Sequence, residues 1–101
     1  MRTPTIHMNG TPPEQLVEQL LKAYRAVDDA MSALAEAAPN GRDYYPQGPD
    51  AVQEATEEHW SRIKKLRSVY ADLEEMVISV QDEIDERAAR ARRNPRRAPP
   101  R

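Results

Sequence analysis

Residues 52–84, VQEATEEHWSRIKKLRSVYADLEEMVISVQDEI, decide the fold. Within them Val52, Thr56, His59, Ile63, Leu66, Tyr70, Leu73, Val77, Val80 and Ile84 recur at alternating spacings of 4 and 3. Side chains spaced in this way line one face of an α-helix, and a sustained period of 3.5 residues sets left-handed packing at roughly 20° to a neighbouring helix. Upstream, Asp50 is placed as N-cap with Gln53 in the capping-box position. Downstream, Asn94-Pro95 ends the pattern. The spacing therefore predicts a helix over about 50–93.

The partner helix lies just before it. Thr11-Pro12-Pro13-Glu14 reads as a helix start, with Thr11 as N-cap, Pro12 at the first helical position and Glu14 closing a capping box. Val17, Leu20, Tyr24, Val27, Met31, Leu34 and Ala38 then follow at spacings of 3 and 4, and Pro39-Asn40-Gly41 ends the run. The expected fold class is all-α: an antiparallel, coiled-coil-like two-helix hairpin, helix one over about 11–38 and helix two over about 50–93. An irregular arm, residues 1–10, precedes it, a loop over 39–49 joins the helices, and a disordered basic tail, 94–101, follows.

The two lengths are unequal. At 1.5 Å per residue, helix one spans roughly 40 Å and helix two roughly 65 Å. Pairing through the loop sets Ala38 beside Asp50 and the start of helix one near Val77 or Ile78. Val80 and Ile84 then overhang, with Met76 and Ile78 broadening the apolar surface. Met76, Ile78, Val80 and Ile84 are the candidate oligomer surface, with a second copy of the chain preferred as cover over the arm residues Ile6 and Met8.

Composition narrows the function. The chain has 101 residues, 39% hydrophobic and 32% charged, with no Phe and a mean hydropathy of −0.88. A core this thin needs a disulfide, a metal or self-association. No cysteine is present, and His7 and His59 share no HxxxH spacing, so no metal and no cofactor are expected. Glu57-Glu58 and Glu74-Glu75 lack the Glu-x-x-His pattern of di-iron bundles. Phosphate loops, HExxH and GxSxG are missing. His59, on the seam without an orienting acid, reads as a core residue rather than a base. The expectation is a non-enzymatic protein without catalytic residues. No apolar run approaches a membrane span, and MRTPTIHMNG lacks a secretory h-region, so a cytoplasmic, non-membrane protein is expected.

Two segments invite partners. The eleven-residue loop 39–49 exceeds the two to eight residues usual between bundle helices. Arg42, Asp43, Tyr44 and Tyr45 on it, with Trp60 nearby, form a candidate partner-binding tip. The alternative has one or both tyrosines folding back against Trp60 or His59, with Trp60 covering the loop end of the core. The second segment is the C-terminus. Residues 1–86 carry all 17 acids against 8 bases, whereas 87–101 carry seven arginines and no acid. Arg87, Arg90, Arg92, Arg93, Arg96, Arg97 and Arg101 are candidate contacts for nucleic acid or an acidic partner through counterion release. Against that stand helix-end roles, with Glu83–Arg87 and Glu86–Arg90 as i,i+4 pairs, and a merely solubilising tail.

The strings Ile6-His7-Met8-Asn9-Gly10-Thr11 and Asn40-Gly41-Arg42-Asp43-Tyr44-Tyr45-Pro46-Gln47-Gly48-Pro49 resemble a recurring type of short helical-hairpin protein from phages and prophages. The resemblance covers about residues 6–84 and implies a bacterial or viral source. It carries no activity and no site. The sequence thus predicts a non-enzymatic, self-associating interaction or structural accessory protein, most simply a homodimer. A nucleic-acid-associated accessory protein acting through the tail, and a protein inhibitor acting through the acidic body, are the alternatives.

Overall fold

A computed structural model describes residues 1–93; the expected disordered tail, with Arg96, Arg97 and Arg101, lies outside the described residues. Those described are helical except for the arm and short connections. Helix α1 is Pro13–Glu36, α2 is Gly41–Tyr44, a single 3₁₀ turn covers Tyr45–Gln47, and α3 is Ala51–Arg93. The plain two-helix hairpin is therefore corrected: a third, short helix stands between the two long ones.

Each departure from the expected boundaries has a local cause. Thr11 does not cap α1. Pro12 takes that place at φ −53°, ψ 141°, with no side-chain cap. A residue before proline is driven out of the α region, so Pro12, followed by Pro13, must stay extended and the helix starts one residue later than drawn. The first helical bond runs from Leu16 N–H to Pro12 O at 3.0 Å. At the other end Ala38 precedes Pro39 and is excluded for the same reason. Asn40, read as part of a helix stop, is instead the N-cap of α2: its Oδ1 accepts from Arg42 N–H at 3.0 Å. Gly48 closes the connection at φ 113°, a backbone conformation that strains any L side chain.

The start of α3 agrees with the sequence to one residue, since Glu54 N–H donates to Asp50 O at 3.1 Å. Gln53 does not close a capping box on Asp50. Its amide turns forward to Glu57 Oε1 at 3.5 Å.

The register of the hairpin is the larger correction. Tyr24 stacks on Tyr70, ring centroids 4.2 Å apart and planes 19° from parallel. Both helices rise equally per residue, so α1, ending twelve residues after Tyr24, stops about level with Glu58, and its start lies about level with Gln81. Helix α1 therefore faces the middle of α3 and not its loop end. The first turns of α3 are met by α2 and the 3₁₀ turn, both of which contact it. A connection that folds into its own helix takes up length that a bare turn would not, and slides α1 towards the C-terminus of α3.

The overhang of α3 is occupied by the chain's own arm, not left open for a second copy. Ile6 is 5% exposed and Val80 fully buried. Thr3 meets Ser79, hydroxyl to hydroxyl, at 3.1 Å. The Ile6 backbone is held on both sides, its N–H donating to Glu83 Oε1 at 3.1 Å and its carbonyl accepting from the Arg87 guanidinium at 2.5 Å. A turn follows, with Gly10 N–H donating to His7 O at 3.1 Å. A Cβ at Gly10 would stand 2.8 Å from His7 Nε2, so the approach of that ring favours glycine here.

The result is a rod. Its radius of gyration is 21.8 Å, against about 13 Å for a compact domain of 100 residues, and its extents are 75 × 21 × 19 Å. Ile6, Ile63 and Val80 are the buried apolar side chains among the described residues, with His59 the buried polar one. Helix α1 contains no buried residue at all.

Candidate interaction surfaces

The tyrosine-bearing connection divides its two rings. Tyr44 is half-buried and Tyr45 is 76% exposed. Together with Gly41, Gly48, Pro49 and Val52 they line an open pocket between the connection and the first turn of α3. Arg42 and Asp43 are exposed. Tyr44 is thus partly covered beside Val52 and the connection, and Tyr45 stands out from it.

Trp60 does not cover the loop end of the core. It is 57% exposed, while its neighbour His59 is 5% exposed and meets the indole edge-on, centroids 6.5 Å apart. One residue along a helix is a rotation of 100°, enough to turn Trp60 off the seam that His59 occupies. The burial of His59 agrees with its expected place in the core.

Of the candidate oligomer residues, Val80 is fully buried under its own chain, Met76 and Ile84 are half-buried, and Ile78 is 51% exposed. Val80 is therefore a core residue and offers no surface. Ile78 instead borders an apolar depression of about 210 Å³ formed with Leu21, Tyr24 and Val77, the carboxylate-bearing Glu74 at its rim. This depression was not anticipated, because it lies across two helices whose register the periodicity of each alone does not fix.

The described arginines near the end of α3 are partly committed within the chain. Arg87 lies 3.7 Å from Glu83 as well as on Ile6, and Arg90 pairs with Glu86 at 2.7 Å, as the i,i+4 spacing predicts. Arg92 and Arg93 are exposed. Glu58 and Arg62 form a further pair at 3.7 Å. No group of three or more metal-ligating side chains occurs among the described residues, and among them no helix is long and apolar enough to cross a membrane.

The tyrosine stack has a measurable electrostatic signature. The Tyr70 hydroxyl is pushed up from 10.0 to about 12, first by hydrogen bonding with the Tyr24 hydroxyl, then by desolvation, then by the charges of Tyr24, Asp28 and Glu74. A phenol whose folded pKa is raised contributes stability in full below its unfolded value near 10, and that contribution is lost as pH rises towards 12. Ultraviolet titration of phenolate absorbance should show a component ionising near pH 12 that disappears in Tyr70→Phe. A Tyr70→Phe variant that loses phenolate amplitude only near pH 10 would refute the assignment.

Compared with protein-family models, with curated proteins and with solved structures, the chain matches none.

Proposed function

We propose that the chain is a non-enzymatic interaction protein that self-associates, as a dimer in which two hairpins complete one another's apolar faces in a four-helix arrangement. The observation that carries this reading is the state of α1. Its seam positions Val17, Leu20, Tyr24, Val27, Met31 and Leu34 are all apolar or aromatic, yet every one is only half-buried. An amphipathic helix of 24 residues with no buried side chain has its stripe covered on one side only. Two paired helices cannot enclose a core, whereas four can, and the gain falls on side chains already arranged in a row.

The arginines give less support to a nucleic-acid role. Arg87 and Arg90 are held by carboxylates and by the arm, which leaves Arg92 and Arg93 among the described residues for an anionic partner.

Sedimentation equilibrium across a concentration series tests self-association. The expected result is a reversible species of twice the 11.5 kDa chain mass. A single species at 11.5 kDa up to high micromolar concentration would overturn the proposal.

A further inference from the structure

We infer that two copies pair antiparallel along the flank of α3 that carries Trp60, Lys64, Ala71, Glu74 and Ile78, each Trp60 docking in the apolar depression beside Ile78 of the partner subunit. This rests on the self-association reading and puts the contact on the flank of α3, with Leu21 and Tyr24 as the α1 residues bordering it.

Trp60 and Ile78 are the exposed ends of one stripe. They are 57% and 51% exposed, respectively, and their separation of eighteen positions is five full helical turns, so both point in the same direction about 27 Å apart. Lys64, Arg67, Ala71 and Glu74 fill the interval at spacings of 4, 3, 4 and 3, and all are exposed. The order along the stripe is apolar, basic, basic, small, acidic, apolar. Reversed and laid on itself, it sets Trp60 on Ile78, Lys64 on Glu74 and Arg67 on Ala71, and a two-fold axis repeats each contact. A parallel arrangement in register would instead oppose Lys64 to Lys64 and Glu74 to Glu74. Charge therefore selects the antiparallel pairing.

The depression supplies the seat. Leu21, Tyr24, Val77 and Ile78 give an apolar space of about 210 Å³, large enough for an indole, and the Glu74 carboxylate at its rim is an acceptor for the indole N–H. Within one chain Trp60 stands five turns away from this site, so only another copy's indole reaches it. Lys64 and Glu74 form no ion pair with each other or with any other group among the described residues. Both remain available across an interface, and an exposed tryptophan is the type of side chain that anchors one.

Trp60 is the sole tryptophan of the 101-residue sequence and reports its own burial. On raising the concentration its emission should shift to the blue with the same midpoint as dimer formation by sedimentation. Trp60→Ala should weaken the dimer about a hundredfold. Lys64→Glu and Glu74→Lys should each weaken it about tenfold, because the two-fold axis doubles every lost pair, and the combined Lys64→Glu/Glu74→Lys chain should recover to within about threefold of the original. All three positions are exposed, and an unchanged helical circular dichroism signal confirms that the variants fold. A dimer indifferent to Trp60→Ala and to both single reversals overturns this register and leaves self-association standing. Single reversals that weaken the dimer without recovery in the combined chain overturn the antiparallel pairing. A monomer at all concentrations overturns the self-association reading and this one with it.

Discussion

Replacing Val80 with aspartate should remove about 4 kcal/mol or more of stability, whereas the same replacement at Val69, eleven residues earlier on the same helix, should cost about 1 kcal/mol. Val80 is fully buried and Val69 is 45% exposed. Both substitutions carry the same small helix-propensity penalty, so their difference isolates burial. At position 80 the carboxylate loses water without gaining a partner, and Glu83 stands one turn on. Val80→Ala removes two methyl groups from a closed site and should cost about 2 kcal/mol. With three buried apolar side chains among its described residues, the protein has little to spare against a typical total of about 5 to 15 kcal/mol. Urea unfolding followed by circular dichroism measures all three. Equal losses for the aspartates at 69 and 80 would show that the arm does not seal the end of α3.

Ile6→Ala is the second large effect, and it has an unusual signature: a loss of about 2 kcal/mol with no loss of helix. Ile6 is 5% exposed although it belongs to no helix. Its side chain and both of its backbone polar groups are satisfied by the far end of α3, through Glu83 and Arg87. Truncation releases the segment as a whole. The loss is bounded by the docking free energy of the arm, since α1 and α3 stay paired without it. Met8, in the same arm but 96% exposed, should tolerate alanine with almost no change. Amide exchange provides the second measurement, because the Ile6 N–H, protected by Glu83, should exchange faster in Ile6→Ala and in Arg87→Ala. Protection unchanged in both variants would rule out the clasp. Val80 falls within the stretch that the arm crosses between Ser79 and Glu83, so Ile6→Ala and Val80→Ala should be non-additive in a double-mutant cycle.

The two long helices were legible because their apolar positions repeat at 3 and 4 over many turns, and no loop does that. The burial of His59 and Ile63 and the helical pairing of Glu83 with Arg87 follow from the same periodicity. Three features were not legible. The Asn40-Gly41 pair is an equally good signal for ending one helix and for starting another, and here Asn40 does the second. The register between α1 and α3 depends on how much length that extra helix takes up, which no pattern within either long helix encodes. The arm has no periodicity, and its attachment rests on one isoleucine, the Thr3–Ser79 hydroxyl contact and two backbone hydrogen bonds to groups 77 and 81 residues away in the chain. Of the candidate surfaces, the sequence offered Trp60 only with the loop tip or as cover for the core, and Ile78 only as part of the overhang with Met76, Val80 and Ile84. The shared direction of Trp60 and Ile78 and the depression beside Ile78 required the two helices to be placed together.

The clasp also fixes an order of events during folding. Contacts between α1 and α3 can zip from the short connection outwards, each turn closing a loop little longer than the last, so the entropy of closure is met in small increments. Tyr24 and Tyr70 meet partway along this path. Ile6 has no place on it until the far end of α3 is already helical, because Glu83 and Arg87 hold it from adjacent turns. The arm therefore closes after the rate-limiting barrier, and Ile6→Ala should accelerate unfolding while leaving the refolding rate nearly untouched. The first residues of the chain act as a latch: they contribute nothing to how quickly the rod forms and much to how long it lasts.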